Sequence, residues 1–404
     1  MQPAELMAIA ADWSHWRKAP PPSVSRTVDL PSVLTADRAL VIQGVRRCGK
    51  STLLTQLLAR YRLDRRRCMF VNFEDPRFLP RADHRTLQAL IDCFEAERGT
   101  GCTWFLDEIQ LVEGWQRWLR SQLDRPRDRR FVVTGSNASL LAGEVGSSLT
   151  GRHDLVELYP FDFAEFQRAK AGAGVAEYLA LGGFPAALAH PQPQRVLQGY
   201  FHDIVERDVR ERVGARSSVP LLQLAQVLFE AAGSPLSARR AGSSLDLSDD
   251  TVGLYLTAFT HAYLAFPCPA FAWSERQRQA RPRKWYPVDT GLRRVAITRT
   301  GADLGKDLEC AVFLHLRRRY RDVYHWRNGG EVDFVVLHEG RPLPIQVSLG
   351  KQLPRHDAAV RAFHAAHRDA HEAVFVDAHS FAAGIPELPP PPEPPQVPLA
   401  TRPG

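Results

Sequence analysis

The first half of the chain predicts an α/β fold: a parallel sheet covered by helices on both faces. Two observations carry the prediction. Apolar runs that read as strands, Ala39-Leu40-Val41-Ile42, Cys68 to Phe73, Thr103 to Leu106, Arg130 to Thr134 and Leu155 to Leu158, alternate with stretches of helical spacing. Near-continuous apolar strands of this kind need cover on both sides. The first of them also runs into Gly44-Val45-Arg46-Arg47-Cys48-Gly49-Lys50-Ser51, which fits G-x-x-x-x-G-K-S/T at every fixed position. Thr52 to Leu58 follows with helical apolar spacing, giving the strand-loop-helix context that a phosphate-cradling loop requires.

The residue types suit that chemistry. Glycines let backbone N–H groups turn inward around phosphate oxygens, and the helix aims the positive end of its dipole at them. The expected nucleotide cradle is Gly44, Val45, Arg46, Arg47, Cys48, Gly49, Lys50, Ser51 and Thr52. Lys50 would reach the β- and γ-phosphates and the Ser51 hydroxyl would hold Mg²⁺. The third strand ends in Asp107-Glu108, and two adjacent carboxylates after a buried strand are costly unless they face a cation or solvent. Asp107 is expected to support Mg²⁺, and Glu108 to orient and deprotonate the attacking water; a helix-capping acidic pair is the plainer alternative. The fourth strand exits through Thr134-Gly135-Ser136-Asn137, where Ser136 or Asn137 is placed to sense a γ-phosphate or simply to form a turn. Arg152, just before the fifth strand, is the candidate to stabilise transition-state charge in a neighbouring subunit, against a structural salt bridge.

At 404 residues the chain should hold about two or three domains. No apolar segment approaches the roughly 18 residues that span a bilayer, and Met1-Gln2-Pro3-Ala4-Glu5 lacks a signal-peptide pattern, so no membrane association and a cytoplasmic location are expected. The six cysteines form no C-x-x-C pair, which implies neither a disulfide framework nor a zinc site. Net charge is +7, compatible with a DNA partner, although arginine is abundant throughout.

Residues 1–35, with Trp13, Trp16 and a proline run, read as an N-terminal arm that contributes little chemistry, ahead of a core at 36–160. Residues 161–215 are helical in pattern, broken at Gly182-Gly183-Phe184-Pro185, and suit a lid. In 216–300, helices at Leu221 to Ala232, Ser237 to Ser244 and Asp249 to about Leu264 precede strands at Ala270 to Trp273 and Lys284 to Val288, the order of a winged helix-turn-helix. Its third helix carries two acids and no Lys or Arg in its first half, so any DNA contact is expected on the Arg276 to Lys284 wing. Residues 301–378 read as a helix, three strands, a helix and a last strand. Residues 379–404 are proline-rich and read as disordered.

The combination of Gly44 to Ser51, Phe105 to Glu108, Thr134 to Ser136, Leu149 to Arg152 and Tyr286-Pro287-Val288-Asp289-Thr290-Gly291-Leu292 resembles a prokaryotic family of AAA+-type P-loop ATPases. Its members carry a C-terminal part built from a winged helix and a restriction-endonuclease-like fold of the PD-(D/E)xK type. The resemblance implies an ATP- and Mg²⁺-dependent hydrolase that assembles as a homo-oligomer. In the nuclease-like part, Glu309, Asp333 and Gln346 match the acidic places, with Gln346 lacking charge, and Ser348 stands where a lysine belongs. Lys351, three residues on, points to the opposite face of the strand unless the turn at Gly350 redirects it, and Lys306, one helical turn before Glu309, is the candidate for a migrated substitute. The site reads as degenerate, which argues against cleavage. The expected function is ATP hydrolysis coupled to DNA binding or remodelling. A nucleotide-controlled switch acting on protein partners, or an ATP-regulated nuclease, are the alternatives.

Overall fold

The computed structural model describes residues 2–389 except 17, 79–81, 126–127, 137–148, 298–302, 321 and 351. Strands β1 (Ala39–Gln43), β2 (Cys68–Asn72), β3 (Thr103–Asp107), β4 (Arg130–Gly135) and β5 (His153–Glu157) form a parallel sheet in the order β2-β3-β4-β1-β5. Successive residues point to opposite faces, and each face has its own core. Leu40, Ile42, Phe70, Phe105 and Val132 pack with Leu53, Leu54, Leu57 and Leu58 of helix Lys50–Arg60. Ala39, Val41, Met69, Val71, Trp104 and Val133 pack on the other side against helices His84–Arg98 and Trp115–Leu123. The expected apolar runs were continuous because both faces are dry.

The first 35 residues do more than lead into this core. Helix Pro3–Trp13 buries Leu6, Ile9 and Ala10 in the second core. The indoles of Trp13 and Trp16 donate to Asp75 Oδ2 at 2.8 Å and to the Cys68 carbonyl at 2.7 Å. The chain then crosses to the other face and delivers Arg26 to the glycine-rich loop.

After β5 come short helices Phe163–Ala169, Val175–Leu181, Pro185–Leu188 and Pro193–Asp203, and then a π-helical stretch, Ile204–Arg210. Helices Val219–Glu230, Ala238–Leu245 and Asp249–His261 follow, beside an antiparallel sheet β6-β8-β7 made from β6 (Pro235–Leu236), β7 (Ala265–Cys268) and β8 (Arg283–Pro287). The strand expected at Ala270 to Trp273 is displaced upstream: β7 ends at Cys268, and Ala270 makes only an isolated bridge to His325. Pro267 is tolerated inside β7 because that strand lies at the sheet edge.

The last sheet has the order β12-β11-β10-β9, from β9 (Tyr324–Arg327), β10 (Glu331–His338), β11 (Arg341–Val347) and β12 (Val374–Val376). Helices Leu304–Arg319 and Pro354–Ala366 accompany it. The disorder expected from residue 379 is corrected over the first part of that segment. Helix Ala378–Ala382 stacks Phe381 on Tyr178, and Ile385 and Leu388 are buried in the main core. Apolar side chains among the first prolines can bury surface that composition alone conceals. Residues 390–404 lie outside the described residues. Among the described residues no helix is long and apolar enough to cross a membrane.

Candidate functional site

The loop after β1 is shaped by close approach. A Cβ at Gly44 would lie 2.0 Å from the Leu158 carbonyl oxygen, and Gly49 has a left-handed φ of 102° at the start of helix Lys50–Arg60. Cys48 is fully buried and its thiol donates to Leu158 O at 3.3 Å; burial pushes the thiol upward, so this cysteine packs as a small side chain. Arg26 fastens the loop from outside the sheet. Its Nη1 donates to Cys48 O at 2.8 Å and its Nε to Glu165 Oε1 at 2.9 Å, within helix Phe163–Ala169. No local pattern around Arg26 announced this contact.

Within the loop, Lys50 is 5 % exposed. Its ammonium donates to the carbonyls of Gly44 at 3.1 Å and Val45 at 3.4 Å, and lies 3.4 Å from Glu108 Oε1. Ser51 Oγ donates to Asp107 Oδ2 at 2.6 Å, and the Thr134 hydroxyl donates to Asp107 Oδ1. The same Thr134 oxygen accepts from the Glu108 N–H at 3.0 Å, so the end of β4 fixes both acids. Glu108 adopts a left-handed φ of 55°. Gln110 also donates to Glu108.

The environment splits the pair. Burial raises Asp107, and the charge of Glu108 adds to this against the hydrogen bonds from Ser51 and Thr134. Burial acts upward on Glu108 too, but Lys50, Gln110 and Arg46 outweigh it and hold the carboxyl below its ordinary value. For Lys50 burial acts downward, and Glu108 with the neighbouring acids outweighs it. The result is an ionised Glu108 beside a charged Lys50. The donor set Ser51 hydroxyl plus Asp107 carboxylate is all oxygen, which suits a hard cation such as Mg²⁺, and the cradle at Gly44 leaves no room for a side chain.

Not every expected member converges. Ser136 is buried, and its hydroxyl donates at 3.2 Å to Asp208, a residue that sequence reading passed over. Asn137 lies outside the described residues. The Arg152 carbonyl accepts from Ala39 N at the opposite end of β1 from Gly44, and its guanidinium pairs with Asp124 at 2.8 Å. Arg152 is therefore remote from the loop of its own chain. Arg46 extends out of the loop, 3.2 Å from Asp208 Oδ2 and 2.8 Å from Glu74 Oε1. Burial raises Asp208 while Arg46 opposes it.

A second cluster lies in the last module. Glu309, Asp333, Gln346 and Ser348 line one cavity of about 650 Å³. Gln346 Nε2 donates to Asp333 Oδ2 at 2.6 Å, while Gln346 Oε1 is buried without a partner. The positive charge comes from an unexpected place. Lys284 of β8, 1 % exposed, sits 2.7 Å from Glu331 and 3.5 Å from Glu309. Lys306 instead donates to the Glu230 carbonyl, so it is not the substitute, and Lys351 lies outside the described residues. The burial of Lys284 also removes it from the basic wing assigned to DNA. Tyr286 donates to Glu309 at 2.6 Å. Burial and then Glu309 push Asp333 up to about 7. Among the described residues no group of three or more His, Cys, Asp or Glu is placed to hold a metal ion.

Residues 36–167 match the model of an AAA domain, 173–303 a domain of unknown function (DUF8612) and 304–382 another domain of unknown function (DUF4143). An uncharacterized protein of Haemophilus influenzae is 31% identical over 327 residues, covering 76% of this chain and 82% of that protein. An uncharacterized protein of Methanocaldococcus jannaschii is 28% identical over 371 residues, covering 84% and 81%. A third, from Mycobacterium tuberculosis, is 29% identical over 260 residues, covering 60% and 57%. The chain belongs to a bacterial and archaeal family in which an AAA-type P-loop ATPase domain is followed by C-terminal domains of unknown function.

Proposed function

We propose that the protein hydrolyses ATP with Mg²⁺. The observation that carries this reading is the convergence on one loop of Lys50 with Glu108 and of Ser51 with Asp107. Gly44 to Thr52 would cradle the phosphates, with Lys50 neutralising their charge. Ser51 and Asp107 would hold Mg²⁺, which supplies charge neutralisation at the transferred phosphoryl group. Glu108, held ionised by Lys50, would orient a water and accept its proton. Ser136 is buried next to this region and would report on the terminal phosphate through Asp208. Arg152, remote from its own loop, would serve a neighbouring subunit in a homo-oligomer.

Coupling to DNA is the finer part of the proposal. Helices Val219–Glu230, Ala238–Leu245 and Asp249–His261 with sheet β6-β8-β7 have the order of a winged helix, and Arg276 and Arg281 stay exposed beside β8. The test is ATP turnover by wild type and Glu108→Gln with no nucleic acid and with single-stranded, duplex and branched DNA. Loss of turnover in the variant and acceleration by one DNA form support a motor. Dependence on Glu108 without any DNA effect supports a nucleotide-controlled switch. Glu108-independent turnover rejects the assignment of the base.

A second reading, metal-dependent DNA cleavage at Glu309, Asp333 and Gln346, gains from Lys284, which brings an ammonium where Ser348 offers none. Cutting in Mg²⁺ or Mn²⁺ that is lost in both Asp333→Ala and Lys284→Met supports it, and intact substrates reject it.

A further inference from the structure

The nucleotide reading gives Asp208 only a relay from Ser136, although it contacts the loop through Arg46 from beyond the AAA domain. It belongs to the π-helical stretch Ile204–Arg210, in the part of the chain that matches the first domain of unknown function. Single π turns inside helices recur at functional sites because the widened turn re-aims a side chain. Here the Asp208 side chain, 8 % exposed, reaches two phosphate-site elements at once. Oδ2 lies 3.2 Å from Arg46 Nε in the loop, and Oδ1 accepts at 3.2 Å from Ser136 Oγ at the end of β4. The preceding helix Pro193–Asp203 meets the loop as well, through Arg47, whose guanidinium lies over the Tyr200 ring at 6.0 Å.

The charges around this point are poorly matched to a further anion. Among the described residues Lys50 lies beside Glu108 and Arg46 beside Asp208, and the charge of Arg212 also acts on Asp208. On the nucleotide reading the loop backbone and Lys50 would hold a diphosphate. A third phosphate would add negative charge to a site where Glu108 and Asp208 already bring carboxylates. A guanidinium is a fork of donors that recognises carboxylate and phosphate alike, so Arg46 can serve only one of them fully.

We propose that Asp208 is a positioning residue that sets the discrimination between nucleoside triphosphate and diphosphate. It competes with the terminal phosphate for Arg46 and Ser136. The proposal rests on nucleotide binding at the Gly44 to Thr52 loop and adds a residue from outside the AAA domain to that site.

The test is calorimetric titration of the full chain with Mg²⁺-ADP and with the Mg²⁺ complex of a non-hydrolysable β,γ-imido ATP. In Asp208→Asn the triphosphate analogue should bind about tenfold more tightly, while ADP changes by less than about twofold, within the usual range of coupling between sites. Arg46→Gln should weaken the preference for triphosphate and shrink the effect of Asp208→Asn when the two are combined. A common factor for both nucleotides, or weaker triphosphate binding in Asp208→Asn, overturns the proposal and leaves nucleotide binding standing. A cooperatively folded wild type that binds neither nucleotide overturns the nucleotide reading, and this proposal with it.

Discussion

The phenol of Tyr263 donates at 3.1 Å to the side-chain oxygen of Gln43, the last residue of β1 before the glycine-rich loop. The same hydroxyl lies 3.0 Å from Glu157 Oε1 at the end of β5. Tyr263 sits just beyond helix Asp249–His261, in the middle module, so one side chain ties that module to two strands of the ATPase sheet. Tyr263→Phe leaves these acceptors without their donor. It should lower unfolding free energy by about 1–3 kcal/mol, measured by urea denaturation.

Chemistry at the loop is separable from binding. Glu108→Gln should lower ATP turnover by about two to four orders of magnitude while nucleotide binding is retained. Lys50→Ala should abolish binding itself, as read by titration with nucleotide. A Glu108→Gln variant that turns over like wild type would remove Glu108 from the chemistry.

Arg152→Ala distinguishes an ion pair from a shared site. The pair with Asp124 is half exposed and contributes at most about 1 kcal/mol. A transition-state role in a neighbouring subunit predicts a loss of about 10³ or more in turnover at unchanged melting temperature. Rescue on mixing Arg152→Ala with Glu108→Gln would follow from sharing between subunits. Unchanged turnover would leave Arg152 as an ion pair only.

Asp333 makes stability depend on pH. Its carboxyl is raised from 3.8 to about 7 in the fold, so across that window the folded chain holds a proton that the unfolded chain has lost. Stability contributed by this group is present below about pH 4 and is lost as pH rises through about 7. Asp333→Asn should therefore gain stability relative to wild type between pH 5 and pH 8, measured by denaturation at each pH. A difference that does not change with pH would contradict this.

Gly182 allows a docking contact. A Cβ there would fall 2.1 Å from Asp289 Oδ1, and the residue has φ 70°. Asp289 Oδ2 accepts from Gly183 N at 2.6 Å, and Oδ1 accepts from Leu292 N at 2.8 Å. Gly182→Ala should destabilise by about 1–3 kcal/mol through backbone strain and should also displace Asp289. Thermal melting checks the first consequence and hydrogen exchange at Leu292 the second.

Legibility in the sequence followed locality. The loop, the acidic pair and the five apolar strands are contiguous patterns, and each lies where its spacing placed it. Tyr286 to Leu292 and the glycine pair at 182–183 were noticed as separate patterns, and only the fold joins them through Asp289. The roles of Asp208 and Lys284 are hidden for a different reason: Asp208 carries no local signal, and Lys284 reads as part of a DNA-facing wing. Asp208 sits in an ordinary charged helical stretch, and Lys284 sits among Arg281 and Arg283 in what reads as a solvated run. Their roles come from tertiary placement that buries them against groups distant in sequence. Thr134 was visible at the end of β4, but its double contact with Asp107 and Glu108 depends on the register of β3 and β4.

One apolar cluster runs from Leu40 and Ile42 of β1 through Phe229, Tyr263 and Phe313 to Leu388 near the end of the described chain. A premature stop after residue 303 would therefore not release a self-sufficient AAA domain stripped of an accessory. It would uncover oily surface on the part that remained and hand that part to proteases.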